Sequence, residues 1–262
     1  MKNLYPAIVP VEQLSQDPYA SVLCFPKPSE AEVQCRIEEL TSHGVTALEF
    51  SGKASVYGVR VPVLGKGFVG IVVVAYLKGK RERVAVKIRR TDADRADLLH
   101  EAKMLLKASI TGVAPKLIAA SKDFLLMQLI DGDLLPAWLK TNTDKTKVKR
   151  VLSELLGNCC KLDEIGLDHG ELSKAPKHVI VDKAGKPWIV DFETASDKRK
   201  TANLPAICHF LFTSPGEVAR AVTATIGERN REEIISAIRE YKRTQTLESF
   251  DRVLRTCLGN DV

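Results

Sequence analysis

A glycine-rich segment followed directly by a β-branched run constrains the fold of this chain more than any other feature. Gly65, Gly67 and Gly70 follow the spacing G-x-G-x-x-G-x-V, and the run from Ile71 to Val74 begins at the next residue. β-Branched residues favour strands over helices, because their χ1 torsion is restricted. The glycines are therefore predicted to lie in a hairpin between two strands, and not at the strand-to-helix junction of a dinucleotide-binding unit. Backbone N–H groups of such a hairpin can fold over phosphates, although a glycine-rich hairpin without a ligand has the same pattern.

A lysine interrupts the apolar strand that is predicted next. Strand alternation over residues 84–89 places Ala85 and Lys87 on one face. A lysine on a covered face needs an anion, which can be a phosphate or a carboxylate. Glu101, in a helix predicted over residues 93–107, is the candidate carboxylate, although a glutamate on a helix face is usually solvated. The order of glycine hairpin, strand lysine and helix glutamate favours an ion pair.

The first part of the chain is predicted to be an extension of the strand-rich region. Residues 1–28 are rich in proline and have no sustained period, which predicts an extended segment. Ser29 then begins a helix, with Glu32 completing a capping box. This helix is too short to form a core of its own. We therefore expect residues 1–55 to form an N-terminal extension with one helix.

The remainder divides into a strand-rich and a helix-rich part. Two further strands are predicted after the Glu101 helix, and Asp131 with the glycine after it gives a turn signal. A polar link over residues 140–149 separates these strands from the helical patterns that follow. We therefore expect one domain over residues 56–132 and a second over residues 133–262.

A polar stretch in the second domain surrounds a short predicted hairpin. Its two apolar strands are joined by a turn that contains glycine and proline. Glu171 precedes the hairpin, His178 begins it and Asp191 ends it, so these three side chains can converge on a ligand. A carboxylate base, a metal-ligand position and an Asp-Phe pair in this order are typical of phosphoryl transfer. The alternative is a hairpin with ordinary surface charges at its ends.

Composition sets outer limits on the class of protein. The chain has 262 residues, 45% of them hydrophobic, which suits a globular protein with a real core. No apolar run is long enough to span a bilayer, and the first residues do not have the pattern of a signal peptide, so a cytoplasmic protein without membrane contact is expected. The six cysteines have no C-x-x-C spacing, which favours reduced thiols over a zinc site. The net charge of +6 is compatible with polyphosphate ligands or RNA and requires neither.

Taken in order, these motifs resemble those of the protein-kinase superfamily over roughly residues 60–212. Within it, the chain is similar to the compact RIO kinases and to the small kinase of the KEOPS complex, which lack a long activation segment. The resemblance implies an α+β, bilobal protein-kinase-like fold with an antiparallel-sheet N-lobe and a small helical C-lobe. The matching pieces are Gly65-x-Gly67-x-x-Gly70-x-Val72, Val84-Ala-Val-Lys87, His100-Glu101, Leu126 to Gly132, His169-Gly170-Glu171-Leu172-Ser173 and Ile189-Val190-Asp191-Phe192-Glu193.

The resemblance also implies ATP and Mg²⁺, or Mn²⁺, as cofactors. Lys87 would hold the α- and β-phosphates and pair with Glu101, and Asp191 would bind the metal ion. The other implied nucleotide contacts surround the phosphates or the adenine. They are Gly65, Gly67, Gly70, Val72, Ala85, Met127 and the backbone of Gln128 and Ile130.

Three positions depart from the family pattern. Glu171 stands where the family has its catalytic Asp and would be the base that accepts the hydroxyl proton. His178 takes the place of the metal-binding Asn, and three roles stay open for it: a Mn²⁺ ligand, a cationic contact to a phosphate, or a structural residue. Glu193 replaces the glycine of D-F-G and adds a carboxylate near the metal. Lys174 and Lys177 are candidates to contact the γ-phosphate.

Three hypotheses for function follow. The first is an ATP-dependent protein kinase that transfers the γ-phosphoryl to a Ser or Thr hydroxyl of a protein substrate. The second is an ATP-binding pseudokinase that acts as a scaffold or an ATPase switch, and the third is a kinase of a small molecule. The retained Lys87, Glu101 and Asp191 favour nucleotide binding under all three. The basic charge permits a nucleic-acid-associated complex, but no nucleic-acid motif supports one.

Overall fold

The strand patterns of the first half of the chain fold as an antiparallel sheet. The structure is a computed structural model that describes residues 8–56, 58–79 and 82–260. The strands of this half are β1 (Ile8–Pro10), β2 (Val45–Glu49), β3 (Ala54–Val56), β4 (Val59–Val63), β5 (Gly65–Lys66), β6 (Gly70–Leu77), β7 (Arg83–Arg89), β8 (Leu117–Ala120) and β9 (Phe124–Gln128). Within the described residues the main sheet has the strand order β1-β2-β6-β7-β9-β8, with β5 paired to β6, and β3 and β4 form a separate hairpin.

These strands belong to the first of two compact units, which comprises Met1–Ala102 and Lys116–Leu129. Its helices are α1 (Tyr19–Leu23), α2 (Glu30–Ser42) and the start of α3 (Leu99–Ile110), which continues into the second unit. The predicted cap of α2 is confirmed, because the Ser29 hydroxyl accepts the N–H of Glu32 at 3.3 Å. The predicted start of α3 at residue 93 is wrong, because Asp97 accepts the N–H of Leu99 at 3.0 Å and the helix begins there.

The N-terminal residues are part of the core of the first unit. β2 pairs with β6, so residues before and after position 55 contribute strands to one sheet. One face of that sheet packs with apolar side chains of the N-terminal segment and α2 in a single buried cluster, which includes Leu23, Leu40, Leu48, Val73 and Val86. The division of the chain at residues 55 and 132 stays a prediction, and residues 1–7 of the predicted extension lie outside the described residues.

A buried arginine of α2 forms hydrogen bonds that hold this helix against the sheet. The Arg36 guanidinium is 1% exposed and donates to the backbone oxygens of Leu23 and Arg89, both at 2.6 Å. It also donates to the Asp123 carboxylate at 3.1 Å, which accepts from the Arg89 side chain at 2.6 Å as well. A buried guanidinium requires such partners, so these bonds fix β7 and β9 against the N-terminal helices.

The second unit comprises Lys103–Pro115 and Ile130–Val262 and is mainly helical. Its small sheet has three strands that pair in chain order, which confirms the predicted hairpin and adds one strand to it. The antiparallel sheet of the first unit and the helices of the second confirm the α+β fold class. Within the described residues no helix is long and apolar enough to cross a membrane. The elements of this unit are β10 (Gly132–Leu134), α4 (Leu135–Thr141), α5 (Lys145–Glu164), β11 (Val179–Asp182), β12 (Pro187–Ile189), α6 (Asn203–Cys208), α7 (Glu217–Ile226), α8 (Arg231–Thr244) and α9 (Leu247–Leu258).

A buried carboxylate orients α6 beneath the polar stretch. Asp163, at the end of α5, accepts the N–H groups of Asn203 and Leu204 at 2.9 and 3.1 Å, and the Tyr241 hydroxyl at 3.2 Å. Burial raises the pKa of Asp163 even though these hydrogen bonds act to lower it. The carboxylate therefore ties the start of α6 to α5 and α8, and the Asn203 side chain reaches the polar stretch from there.

Candidate active site

One face of the main sheet carries the predicted nucleotide contacts of the first unit. The strand register places Val72 opposite Lys87, and Ala85 opposite Met127. These four side chains alternate with the core-facing residues of β6, β7 and β9, as period-two geometry requires. They therefore lie on the face opposite the buried cluster, as the strand alternation predicted for Ala85 and Lys87.

Lys87 and Glu101 form a two-oxygen ion pair on this face. The Lys87 ammonium lies 2.7 Å from one carboxylate oxygen of Glu101 and 3.0 Å from the other. Each residue is only 5% exposed. A buried lysine is retained where an anion compensates its charge, so β7 holds a cation in a fixed position on the sheet.

The glycine hairpin joins β5 to β6 beside this ion pair. Of its three glycines, only Gly70 has neighbours that leave no room for a Cβ atom. The N–H of Gly67 donates to the carbonyl of Gly70 at 2.8 Å, which closes the turn. A Cβ on Gly70 would lie 2.9 Å from the Ile88 carbonyl oxygen and 2.9 Å from Cγ of Lys87. A Cβ on Gly65 would meet no atom within 4 Å. Gly70 thus makes room for the Lys87 side chain, and the space at Gly65 is open.

The N-terminal segment supports the hairpin in a way that the sequence did not predict. The Phe25 ring lies 4.4 Å from the Lys66 ammonium and 5.0 Å from the Arg90 guanidinium, within cation–π range. Arg90 also donates to the carbonyl of Gly67 at 3.2 Å and pairs with Asp92. No local pattern connects a phenylalanine at position 25 with a hairpin at positions 65–70, so sequence reasoning had no signal for this contact.

A hydrogen bond within the sheet limits which backbone atoms of the predicted adenine-edge residues can contact a ligand. The N–H of Gln128 donates to the carbonyl of Lys116 at 2.9 Å, so a hydrogen bond from the Gln128 backbone to a ligand has to use its carbonyl oxygen. Met127 and Gln128 are half-buried at the end of β9. Ile130 is half-buried as well and is the first residue after Leu129 to belong to the second unit.

In the second unit, a buried histidine organises the polar stretch. His169 is fully buried, its Nε2 lies 3.1 Å from the Val190 carbonyl, and its backbone N–H donates to the Asn203 side chain at 2.8 Å. Its own carbonyl accepts the Thr194 hydroxyl at 3.0 Å. Burial lowers the pKa of His169 to about 4, although the bond to Val190 opposes that shift. The ring is therefore neutral at pH 7, with the proton on Nε2.

Asp191 is held in a conformation that few residues adopt. Its φ is +69°, in the left-handed region, which costs a non-glycine residue roughly 1–3 kcal/mol. The preceding residue is fixed on both sides, because the N–H of Val190 donates to His178 and its carbonyl accepts from His169. Glu193 follows, and a carboxylate oxygen of each acid lies within 4.8 Å of the other. Asp191 thus takes this conformation directly after a residue whose backbone is hydrogen-bonded at both its N–H and its carbonyl.

His178 lies within 4 Å of both Glu171 and Asp191, the carboxylates that the sequence predicted on either side of it, but has no hydrogen bond to either. His178 Nε2 is 3.6 Å from a Glu171 oxygen, and Nδ1 is 3.7 Å from an Asp191 oxygen. Both separations exceed hydrogen-bond distance. Glu171 is 41% exposed at its side chain, whereas that of His178 is 12% exposed. Lys174 and Lys177 are exposed and extend from the same loop.

Arg199 joins the two halves of this loop region, and sequence reasoning missed it. Its Nε donates to the Asp168 carboxylate at 2.7 Å, and its Nη2 donates to the carbonyls of Thr194 and Asp168 at 3.0 and 3.3 Å. Gly170, at φ +89°, leaves the space that this guanidinium occupies, since a Cβ there would lie 2.6 Å from Nη2. Arg199 thereby ties the segment before Glu171 to the segment after Asp191.

Two comparisons with known proteins bear on this site. A family model described as RIO domain matches residues 73–204, about half of the chain. This range includes Lys87, Glu101, Glu171 and Asp191 and begins after the glycine hairpin. An uncharacterized protein of Methanocaldococcus jannaschii is 30% identical over 96 residues, which are 37% of this chain and 79% of that protein.

Proposed function

The chain belongs to the RIO domain family of the protein-kinase superfamily, and we propose that it is an ATP-dependent protein kinase. Family membership suggests a phosphotransferase. The finer assignment, transfer of the γ-phosphoryl of ATP to a Ser or Thr hydroxyl of a protein, is our proposal. The observation that carries it is the buried Lys87–Glu101 pair on a sheet face beside a glycine hairpin. Phosphoryl transfer depends on positioning and charge compensation, which a fixed lysine and backbone N–H groups supply.

In this proposal the first unit supplies most of the nucleotide contacts. Lys87 contacts the α- and β-phosphates while Glu101 holds its ammonium in place. The hairpin of Gly65, Gly67 and Gly70 covers the phosphates, since the open space at Gly65 allows a close backbone approach. The apolar contacts to the adenine come from Val72, Ala85 and Met127, and the polar ones from the Gln128 carbonyl and the backbone of Ile130.

The second unit supplies the acidic groups of the reaction. Asp191 and Glu193 offer carboxylate oxygens, the donors that Mg²⁺ or Mn²⁺ takes beside a polyphosphate, so these residues fit a divalent cation. When bound, such an ion neutralises charge that develops on the transferred phosphoryl group. The fixed, left-handed backbone of Asp191 favours a ligand at its side chain, because strain of this kind is typical of functional sites.

Glu171 is the base in this proposal. Within the described residues its carboxylate has no hydrogen-bond partner, and it is accessible to solvent. A carboxylate in that state can accept the proton of an incoming hydroxyl, which in general acid–base catalysis contributes about 10²–10⁴-fold. The helical turn that begins after Glu171, at Leu172, fixes its backbone.

A second candidate is an ATP-binding scaffold or ATPase switch without phosphoryl transfer to protein. The observation in its favour is His178, which occupies the position of the family's metal-binding Asn and contacts neither carboxylate within hydrogen-bond distance. A loop with this change can retain nucleotide binding and lose transfer.

Incubation with γ-labelled ATP and Mg²⁺ or Mn²⁺ distinguishes these functions. The wild type is expected to label itself or an added protein, and both Asp191→Ala and Glu171→Ala are expected to abolish the label. ATP hydrolysis without protein labelling would support the switch. ATP binding without turnover in either metal would support the scaffold and overturn the kinase.

A further inference from the structure

We propose that Phe25 is a positioning residue for the glycine hairpin, because its ring holds Lys66 and Arg90, which in turn hold the hairpin backbone. The inference rests on the proposed function in one respect, namely that this hairpin covers the phosphates of ATP. It adds a residue that lies before the first kinase-like motif and outside residues 73–204, which the RIO domain model matches. Phe25 thereby acts on nucleotide affinity through the hairpin and not through a contact of its own.

The first observation is that Phe25 is itself fixed by the core of the first unit. Its carbonyl accepts the N–H of Thr91 at 2.8 Å and the Thr91 hydroxyl at 3.0 Å, which ties its backbone to the residues that follow β7. Its side chain is 9% exposed and belongs to the buried apolar cluster that includes Leu23 and Val73. The position of the ring is therefore set by backbone bonds and core packing.

The second observation concerns Lys66, which lies between two glycines of the hairpin. The strand register places Lys66 opposite Ile71, a residue of the buried cluster, and residues that pair in this way share one face of a sheet. Lys66 therefore lies on the face opposite Lys87. On that face its ammonium is 4.4 Å from the centroid of the Phe25 ring. The contact joins the hairpin itself to the ring, and it explains why a cation in this motif is directed to the core and not to the phosphates.

The third observation is that Arg90 connects the ring to the hairpin backbone. Its Cζ lies 5.0 Å from the ring centroid, and its Nη1 donates to the carbonyl of Gly67 at 3.2 Å. Its backbone N–H donates to the carbonyl of Val69 at 2.8 Å, and its other guanidinium nitrogens donate to Asp92 at 2.8 and 2.6 Å. A guanidinium can stack on an aromatic face while its edge donates hydrogen bonds. Phe25 thus helps to orient the group that binds the hairpin carbonyl.

These contacts matter because the hairpin is otherwise open to solvent at its tip. Phe68 is 91% exposed, and the bond from the Gly67 N–H to the Gly70 carbonyl closes the turn within the hairpin itself. Glycines lose more conformational freedom on ordering than other residues do. A restraint that is present before the nucleotide binds removes part of this cost from the binding step. The contacts of Lys66 and Arg90 with Phe25 therefore raise the affinity for ATP by ordering the hairpin in advance.

The test combines amide hydrogen exchange over residues 65–70 of the nucleotide-free full chain with calorimetric titration of a non-hydrolysable ATP analogue. Phe25→Leu keeps an apolar side chain and removes the aromatic face, Phe25→Tyr keeps the face, and Lys66→Met removes one cation without changing the core. Phe50→Leu is the matched control, because Phe50 is a 2% exposed aromatic of the same cluster whose ring packs on Tyr19, with centroids 4.9 Å apart. Urea unfolding gives the stability of each variant.

Phe25→Leu should speed exchange of the Gly67 amide and weaken binding of the analogue, each by about 5-fold or more, and Lys66→Met should change both less and in the same direction. Phe25→Tyr should stay within about two-fold of the wild type. Phe50→Leu should lower stability and leave exchange and affinity unchanged. Wild-type exchange in Phe25→Leu, or an equal effect of Phe50→Leu, would overturn the inference. A wild type that does not bind the analogue would overturn the proposed function, while the exchange comparison would still decide the positioning role.

Discussion

Two sets of polar side chains differ in whether their members are bonded to each other: Lys87 and Glu101 on the sheet face of the first unit, and Glu171, His178 and Asp191 in the loop region of the second unit. On the sheet face, Lys87 contacts both oxygens of Glu101 at 2.7 and 3.0 Å, and each residue is buried. In the loop region, His178 lies 3.6 Å from Glu171 and 3.7 Å from Asp191, beyond hydrogen-bond range of both. The first region has an ion pair with two short contacts, whereas in the second the His178 ring lies within 4 Å of both carboxylates without a hydrogen bond to either.

This contrast follows the division between family-like and divergent residues in part. Lys87 and Glu101 match the kinase pattern, as Asp191 does in the loop region, whereas Glu171, His178 and Glu193 depart from it. Under the proposed function, Lys87 and Glu101 act on the nucleotide and Glu171 acts on the transferred proton. Nucleotide affinity and turnover should therefore respond to different substitutions.

Breaking the ion pair on the sheet face should have the largest effect on stability and on ATP binding. Lys87→Met removes a cation from a buried carboxylate, and loss of one partner of such a pair costs roughly 3–5 kcal/mol. The free energy of unfolding, measured with urea, should fall by about that amount, and ATP binding should be lost. The double variant Lys87→Met with Glu101→Leu should recover part of the stability and none of the ATP binding. Equal losses in the single and double variants would contradict the assignment of the cost to an uncompensated charge.

The buried His169 of the loop region should make the free energy of unfolding depend on pH. The pKa of His169 falls from 6.5 to about 4 on folding, so the unfolded chain takes up the proton first as the pH drops. The stabilising effect of the neutral ring is complete above pH 6.5 and is lost progressively towards pH 4, by up to about 3 kcal/mol. Urea unfolding in a chelator at a series of pH values measures this. His169→Gln, which can still donate to Val190, should remove this part of the slope, and parallel curves for the two proteins would exclude His169 as its source.

The glycine hairpin offers a comparison between two similar substitutions. Gly70→Ala places a Cβ against the Ile88 carbonyl and the Lys87 side chain, and overpacking of this kind costs typically about 1–3 kcal/mol. ATP affinity should fall with it, because Lys87 is displaced. Gly65→Ala meets no atom within 4 Å and should leave the melting temperature unchanged. Thermal melts together with nucleotide titrations of the two variants check both expectations, and a Gly65→Ala protein that is the less stable of the two would contradict them.

A smaller effect is expected at Arg199, which positions the loop region without contacting the reacting groups. Arg199→Ala removes the bonds to Asp168 and Thr194, and turnover should fall about 10-fold, which is about 1.4 kcal/mol in the barrier, with ATP affinity unchanged. Lys198→Ala, a neighbouring exposed lysine, is the control. A fall in ATP affinity instead of turnover would show that Arg199 acts on binding.

Short sequence patterns predicted the features that depend on residues close together in the chain. Strand alternation placed Ala85 and Lys87 on one face, and the capping box placed the start of α2 at Ser29. The hairpin that ends at Asp191 followed from its apolar runs and its turn residues. Within the first unit the order of motifs also paired Lys87 with Glu101, because a buried lysine has few other ways to be compensated.

Such patterns could not predict contacts between segments that are far apart in the sequence. The pairing of β2 with β6 and the stacking of Phe25 on Lys66 and Arg90 join residues that no short-range pattern connects. The same is true of Arg199 and the backbone that it binds, since an arginine in a charged loop is usually solvated. The positive φ of Asp191 also had no signal, because aspartate rarely adopts it without a surrounding structure that enforces it.

The most direct test of the account measures binding and turnover together in Glu171→Gln, with Glu171→Asp as the shorter carboxylate. The amide keeps the shape of the side chain and cannot accept a proton, so turnover with γ-labelled ATP should fall by about 10²-fold or more. The ATP dissociation constant should stay within about two-fold of the wild type, because Glu171 is not among the proposed nucleotide contacts. Glu171→Asp should be intermediate in turnover. A Glu171→Gln protein that turns over ATP at the wild-type rate would contradict the assignment of Glu171 as the base and, with it, the separation of binding from chemistry.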